Sequence, residues 1–334
     1  MSSSHVSFSL KRQLLSRVGA KSAIAAFFPF GLAGLPLVLL FISACSPSLT
    51  NSEPDSKSPA PSPVAVAQRA ATLRISVLPT QNQTVQKRMI APLESHLERV
   101  LGQPVDFLIA ADYKDNVDML VDGRANAAYT GAVSYLEALE RGAKVEPLVA
   151  PIDRFTARPW YRACIIVAAN RPIKTLADLK GRRVAFVNPS STSGYQMPLA
   201  SLRQSGIEPK RDFAEVIFGG THAKTEALLE AGKVDAIATN IPSYQMRQTL
   251  GKLTPQNSRI LWESAPVPHS PFLVAQDLPP ALVEKLKEAF LTVPPGLQDI
   301  VGTQAAGYTL VVAADYDPIR VLRDQLNLRA EGRP

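Results

Sequence analysis

From Leu73 onward the chain repeats one pattern, an apolar strand followed by an amphipathic helix. Apolar and polar residues alternate from Leu73 to Leu78, as in a strand. Apolar residues then recur at every fourth position from Val85 to Leu101, directly before Gly102. This spacing predicts a helix that ends at the glycine. Similar pairs follow as far as Ala150. Alternating units of this kind are typical of an α/β fold with a mostly parallel sheet, in which ligands bind beyond the carboxyl ends of the strands.

A second series of strands and helices follows the apolar strand from Arg162 to Ala169, and Phe272 to Ala275 then leads the chain back. Two series joined by two crossings predict two α/β lobes with a ligand cleft between them, at the hinge. We expect one lobe to comprise residues 71–165 plus 270–334 and the other to comprise residues 166–269.

The first 70 residues are predicted to lie outside the fold. Before Cys45 the chain has four basic residues, no acidic one and an almost wholly apolar run from Ile24 to Ile42, which is typical of a signal peptide or a transmembrane helix. Ile42-Ser43-Ala44-Cys45 resembles a bacterial lipobox. We therefore predict a signal peptide over residues 1–44 and lipid on Cys45, with an uncleaved membrane anchor as the alternative. The Ser- and Pro-rich stretch of residues 45–70 predicts a disordered tether.

These segments predict a periplasmic or extracytoplasmic protein that is lipid-anchored to a bacterial membrane. The formal net charge is +7, and removal of the four basic leader residues leaves +3 (7 − 4). Because this charge is modest and no nucleic-acid motif is present, we expect no nucleic-acid partner. Besides Cys45 the chain has only Cys164, which lies in an apolar strand and is predicted to be a buried, inert thiol.

Catalytic patterns are absent from the sequence. The four histidines, His5, His96, His222 and His269, lie far apart, and there is no nucleophile elbow, P-loop or Rossmann glycine pattern. A phosphatase-like activity would need an activated nucleophile or a metal. We therefore predict that the chain is not an enzyme and uses no cofactor and no metal.

A hydroxyl-rich turn, Asn188-Pro-Ser-Ser-Thr-Ser-Gly194, connects a predicted buried strand to a predicted helix from Tyr195 to Ser205. The first N–H groups of a helix lack intrahelical partners and lie at the positive end of its dipole, which favours an anion. The hydroxyls of Ser191, Thr192 and Ser193 add donors that suit a tetrahedral oxyanion. The alternative is that Ser191 or Thr192 only caps the helix.

The segment from Asn188 to Pro198 resembles the signature of the phosphate/phosphite/phosphonate-type solute-binding proteins of ABC transporters. The similarity extends from about Leu73 to Arg320 and includes Gly219-Gly-Thr-His222. It implies a two-lobed periplasmic-binding-protein fold of type II, in which each lobe is a mostly parallel sheet flanked by helices. It also implies a monomer that captures a small phosphorus oxyanion and delivers it to a permease. A ligand-sensing lipoprotein of the same fold, acting through a signalling partner, is the alternative.

The same resemblance implies the ligand-binding residues. Hydroxyls and backbone N–H groups of the Ser-Thr-Ser turn would bind the phosphonate oxygens, and Tyr113 and His222 match positions that contact the oxyanion. Either could instead be only a residue at the start of a helix. At Thr130 the family often has an aromatic residue, and the threonine can donate one hydrogen bond. The full set of candidates is Tyr113, Thr130, Ser191, Thr192, Ser193, His222, Asn240 and Ser270.

The candidate loops restrict the ligand. Family members that bind aminoalkylphosphonates place acidic residues near the cleft, whereas residues 240–244 and 268–271 contain no Asp or Glu. A buried ammonium without a counter-charge is costly. We therefore predict phosphite, methylphosphonate or phosphate as the ligand, rather than an aminoalkylphosphonate.

Overall fold

The computed structural model describes residues 71–154, 156–294, 296–297, 300 and 305–327. The predicted signal peptide, the lipid site at Cys45 and the tether lie outside these described residues. Within the described ranges, no helix combines the length and the apolar character that a membrane span requires.

Strands and helices alternate along the described chain as the sequence predicts. The strands are β1 (Leu73–Val77), β2 (Val105–Ile109), β3 (Ala127–Tyr129), β4 (Val145–Pro151), β5 (Trp160–Tyr161), β6 (Ala163–Ala168), β7 (Arg183–Phe186), β8 (Glu215–Phe218), β9 (Ala236–Asn240), β10 (Ser258–Glu263), β11 (Val267–Pro268), β12 (Phe272–Ala275) and β13 (Tyr308–Leu310). The α-helices are α1 (Gln83–Leu101), α2 (Tyr113–Val121), α3 (Ala132–Glu140), α4 (Met197–Gln204), α5 (Pro209–Asp212), α6 (His222–Glu230), α7 (Ile241–Thr249), α8 (Pro280–Leu291) and α9 (Asp317–Gln325). Short 3-10 helices cover Leu176–Leu179 and Ala313–Tyr316, and a π turn covers Thr192–Gln196.

The strands form two sheets and one short ribbon. The first sheet has the order β13-β4-β12-β3-β1-β2, the second has the order β10-β6-β9-β7-β8, and β11 pairs with β5 in the ribbon. Two α/β lobes are therefore present, as predicted. Strand β6, which starts at Ala163, pairs entirely within the second sheet, and the exact residue limits predicted for the lobes stay a prediction.

Both sheets are mixed, whereas the sequence predicted mostly parallel ones. In the first sheet β1 is parallel to β2 and β3, but β12 is antiparallel to β3 and β4, and β13 is antiparallel to β4. In the second sheet β6 is antiparallel to both of its neighbours. Strands β6 and β12 each follow one strand of the β5–β11 ribbon and enter their sheets from the cleft side, so they run against the strands that end there. The spacing of apolar residues predicts where a strand lies but not in which direction it runs in the sheet.

Helix α1 shows how local sequence shapes the first lobe. The Asn82 side chain caps it by accepting from the backbone N–H of Val85 at 2.9 Å, and Gly102 ends it in the left-handed region at φ 67°. Its buried face, which includes Leu93 and Leu97, packs into the core beneath the sheet. Burial of an apolar side chain of this size contributes about 1.5–3 kcal/mol to stability, so the buried face holds α1 against the strands that lead to the cleft.

Candidate functional site

Five helical segments begin at one cavity between the two sheets. They start at Tyr113 in α2, after Gly131 in α3, after Ser191 in the π turn, at His222 in α6 and after Asn240 in α7, and all five of these residues line the cavity. The first N–H groups of each segment have no intrahelical acceptor, and each dipole adds positive potential at this end. The arrangement therefore favours an anion without requiring a cationic side chain.

The cavity is small and carries no charged side chain among the described residues that line it. Its volume is about 60 Å³, whereas one water needs roughly 10–15 Å³ on this measure, so the space suits a small tetrahedral ion. Hydroxyl, imidazole and amide groups supply its polar surface. The lining residues are Leu78, Thr80, Gln81, Tyr113, Tyr129, Gly131, Tyr161, Ser191, Thr192, Ser193, His222, Asn240, Pro242, Ser243, His269 and Ser270.

Seven of the eight candidates from the sequence lie at this cavity: Tyr113, Ser191, Thr192, Ser193, His222, Asn240 and Ser270. Thr130 does not. It is completely buried, and its neighbours Tyr129 and Gly131 line the cavity instead. The Tyr129 side chain packs in the core on one face of the sheet, and because side chains alternate in extended backbone, Thr130 points to the other face.

The Ser-Thr-Ser turn is both a cap and a set of ligand-facing donors. The Ser191 hydroxyl accepts from the backbone N–H of Gly194 at 3.0 Å, so the capping alternative holds for this residue. Gly194 is required here, because an added Cβ would lie 2.3 Å from Cγ2 of Val187. Thr192 and Ser193 occupy the first two positions of the π turn, where backbone N–H groups lack helical acceptors. Turns of this kind occur frequently at functional sites.

The turn also makes direct contact with the first lobe. The Thr192 hydroxyl oxygen accepts from the backbone N–H of Val133 at 3.0 Å, and the Ser134 hydroxyl donates to the carbonyl of Ser190 at 3.2 Å. Val133 is the second residue of α3, so Thr192 satisfies one of the helix's unpaired donors from the other lobe. Since a hydroxyl accepts and donates at once, Thr192 retains its proton for a ligand.

The fully buried Tyr113 and the partly buried Tyr161 reach the same turn. Burial raises the pKa of Tyr113, although a hydrogen bond with Ser191 opposes the shift. Burial likewise raises the pKa of Tyr161, against a hydrogen bond with Ser193. Both phenols therefore stay protonated and supply O–H donors around the cavity. Tyr161 belongs to β5 of the β5–β11 ribbon, so this ribbon contacts the site directly.

His222 begins a hydrogen-bonded chain that runs into the second lobe. Its Nδ1 lies 2.8 Å from Oγ1 of Thr239, and Oγ1 of Thr239 lies 2.9 Å from Oε1 of Glu226. Burial lowers the pKa of His222 to about 4, so the ring is neutral at physiological pH. Burial raises the pKa of Glu226 to about 8. The side-chain nitrogen of Asn240 lies 3.4 Å from each ring nitrogen of His222 and thus does not favour one tautomer.

Several cavity residues were missed by sequence reasoning. Thr80 and Gln81 follow β1 and could have been found, because the carboxyl ends of parallel strands carry ligand sites. Ser243 lies in the first turn of α7, which was interpreted as a loop. Tyr161 lies in the β5–β11 ribbon and His269 directly follows it; their ring centroids are 5.1 Å apart, and only the packed fold brings them to the cleft. No group of three or more His, Cys, Asp or Glu side chains in the described ranges could hold a metal ion.

Comparisons with known proteins agree with this geometry. The family model described as an ABC-transporter, phosphonate, periplasmic substrate-binding protein matches residues 75–318. The phosphate-import protein PhnD of Mycolicibacterium smegmatis is 29% identical over 279 residues, with 76% of this chain and 85% of that protein covered. The phosphonates-binding periplasmic protein of Escherichia coli is 25% identical over 236 residues, with 69% of this chain and 68% of that protein covered.

A solved structure supports the fold. PhnD1 from Prochlorococcus marinus, in complex with methylphosphonate, has a TM-score of 0.68 and 21% sequence identity, with 77% of this chain and 98% of that chain covered. This similarity confirms the two-lobed type II fold that the sequence predicted.

Proposed function

Because the chain belongs to the family of phosphonate periplasmic substrate-binding proteins of ABC transporters, we propose that it captures a small phosphorus oxyanion and delivers it to the importer's permease. Membership of this family confirms that the chain is a solute-binding protein rather than an enzyme. The ligands that we propose are phosphite, methylphosphonate or phosphate.

The observation that carries the proposal is the combination of helix N-termini and hydroxyls around a cavity of about 60 Å³. A phosphorus oxyanion presents several acceptor oxygens and no donor when it is fully ionised, and the cavity wall offers hydroxyl and backbone donors in return. Hydrogen bonds to a charged group contribute about 1.5–3 kcal/mol each. A few such bonds, supported by the helix dipoles, hold the anion without a salt bridge.

The residues that line the cavity also favour a ligand without an amine. No Asp or Glu lies among the described residues that line the cavity, so an ammonium group would be buried without a counter-charge. Glu226 is behind Thr239 rather than at the cavity, and its raised pKa keeps it largely neutral at pH 7. Burial of an unpaired ammonium is costly, and the site would therefore reject an aminoalkylphosphonate.

Capture would involve closure of the first lobe over the Ser-Thr-Ser turn. The hinge in this proposal is the ribbon in which Trp160 pairs with Pro268 and Tyr161 pairs with Val267. The contact between Thr192 and Val133 forms only when the lobes meet, and a permease would recognise the closed form. Hinges of a few residues between rigid lobes are the usual basis of this motion.

A thermal-shift series tests the proposed ligand class. At a concentration of 100 Kd a specific ligand adds about 2.7 kcal/mol of stability, so phosphite, methylphosphonate or phosphate should raise the melting temperature clearly, whereas nitrate at the same ionic strength should not. If none of the three raises it beyond the nitrate control, the proposed ligand class is wrong.

The membrane anchor is a separate part of the proposal and rests on Cys45 in the lipobox-like sequence. Cells grown with an alkyne-labelled fatty acid should label the wild-type chain and leave Cys45→Ser unlabelled. An unlabelled wild-type chain in the membrane fraction would instead favour an uncleaved anchor helix.

A further inference from the structure

A glutamate buried in the second lobe is connected to the cavity by one hydroxyl. Glu226 is 1% exposed and Thr239 is 0% exposed, and Thr239 lies between Glu226 and Nδ1 of His222 at 2.9 Å and 2.8 Å. Glutamate is rarely buried so completely unless it is paired, and contact with a ligand does not explain it, because Glu226 is not at the cavity.

The Thr239 hydroxyl has one proton, so it donates to only one of its two neighbours. If Glu226 is ionised, Thr239 donates to the carboxylate and accepts from His222 Nδ1–H. Nε2 is then a bare acceptor toward the cavity. If Glu226 is protonated, the carboxyl donates to Thr239, Thr239 donates to Nδ1, and Nε2 carries the proton. Only the second arrangement lets His222 donate to a fully ionised oxyanion.

We propose that Glu226 is a positioning residue for ligand recognition, which determines through the Thr239 hydroxyl which ring nitrogen of His222 carries the proton. The site then takes a dianionic phosphorus oxyanion only when Glu226 holds a proton. This inference rests on the proposed function, and it adds a residue that decides the protonation state that the site accepts.

The groups around Glu226 are compatible with proton uptake near neutral pH. Burial is the largest cause of its raised pKa of about 8, Thr239 and Arg247 oppose the shift, and Glu230 adds to it. Arg247 is 3.7 Å from Glu226, but its Nε donates to Glu230 at 2.7 Å. Cys164 on β6 also faces the carboxyl, and burial raises its pKa well above the usual value, which keeps the thiol neutral.

The protons balance in the bound state. A dianion bound beside protonated Glu226 and a monoanion bound beside ionised Glu226 hold the same number of protons. Transfer from Glu226 to Thr239, from Thr239 to Nδ1 and from Nε2 of His222 to a ligand oxygen converts the first state into the second. Because the second ionisation of a phosphoryl group lies near neutrality, this exchange is accessible to the proposed ligands.

The test is the affinity of the full chain for phosphite between pH 7 and pH 9.5, measured by calorimetry in two buffers of different ionisation enthalpy. Above pH 8 the wild-type affinity should fall about tenfold per pH unit, with uptake of one proton, because one group must be protonated. Glu226→Gln should have a nearly flat profile. Glu230→Gln is the matched control, since Glu230 shares Arg247 but has no contact with Thr239, and it should retain the wild-type slope.

A wild-type slope in Glu226→Gln, or an equal loss of slope in Glu230→Gln, would overturn the inference. Should Glu226→Gln fail to fold, nitrogen NMR of His222 in the wild-type chain decides, because the ring proton should move from Nε2 to Nδ1 as the pH rises through about 8. An unchanged tautomer over this range contradicts the proposal. If the wild-type chain binds neither phosphite nor any other phosphorus oxyanion, the proposed function fails instead, which is a distinguishable result.

Discussion

The Thr192 side chain offers the sharpest perturbation of the site. It accepts from Val133 N–H across the cleft at 3.0 Å, and its proton remains for a ligand oxygen. Thr192→Val keeps the shape of the side chain and removes both functions. Thr192→Ser keeps the hydroxyl and is the matched control. We expect Thr192→Val to weaken binding of phosphite or methylphosphonate strongly and Thr192→Ser to weaken it little.

The magnitude follows from two separate losses in the closed, bound state. The Val133 N–H would be buried without an acceptor, which costs about 1–3 kcal/mol, and a hydrogen bond to a charged ligand of about 1.5–3 kcal/mol would be absent. Together they amount to roughly 2.5–6 kcal/mol, or about two to four powers of ten in Kd. In the open form Val133 N–H contacts water, so the loss should affect affinity much more than the stability of the ligand-free protein.

Calorimetric titration of both variants measures the effect, and urea unfolding without ligand checks the stability. Equal affinities of Thr192→Val and Thr192→Ser would show that the hydroxyl contributes neither to closure nor to ligand binding. A large loss of ligand-free stability in Thr192→Val, of the same size as the loss of affinity, would also refute the reasoning.

Three further predictions concern the turn, Tyr113 and the pH dependence of stability. Gly194→Ala should destabilise the fold by about 1–3 kcal/mol in urea unfolding, because its Cβ would overlap Val187. Gly131→Ala, whose Cβ would lie 3.7 Å from Thr192, should destabilise it less, because only the N-cap of α3 is weakened. Tyr113→Phe removes the phenol that bonds Ser191 and should weaken oxyanion binding by about 0.5–1.5 kcal/mol in calorimetry; an unchanged Kd would exclude a role of this phenol. Burial lowers the folded-state pKa of His269 to about 4, below its unfolded value of about 6.5, so its contribution to stability is present above pH 6.5 and is lost as the pH falls toward 4. His269→Gln should therefore reduce the slope of the free energy of unfolding against pH in this range by about 1.4 kcal/mol per pH unit. An unchanged slope would contradict the assignment.

Much of the fold was accessible from the sequence because local patterns and burial agree there. The bounds of β12 match the predicted strand from Phe272 to Ala275, and the Ser-Thr-Ser turn follows β7 as expected. The prediction that Cys164 is buried is also confirmed. These features depend on residues near one another in the chain, and the spacing of apolar residues predicts such local structure well.

The missed features depend on packing or on weak local signals. Helix α7 was interpreted as a loop, although Asn240 caps it and Pro242 stands in its first turn, a known start signal. The strands β5 and β11 are two residues long, which is too short to show an alternating apolar pattern. The contact between Thr192 and Val133 joins residues that are 59 positions apart. The link from His222 to Glu226, both in helix α6, depends on Thr239 of strand β9.

A cavity built from hydroxyls and helix N-termini, without a lining carboxylate among the described residues, should accept a phosphorus oxyanion that has no amine. The direct measurement is calorimetric titration of the full chain at pH 7 with methylphosphonate and with aminomethylphosphonate, which differ by one ammonium group. We expect methylphosphonate to bind at least tenfold tighter, because the cavity offers the ammonium no counter-charge. Equal or tighter binding of aminomethylphosphonate would contradict it.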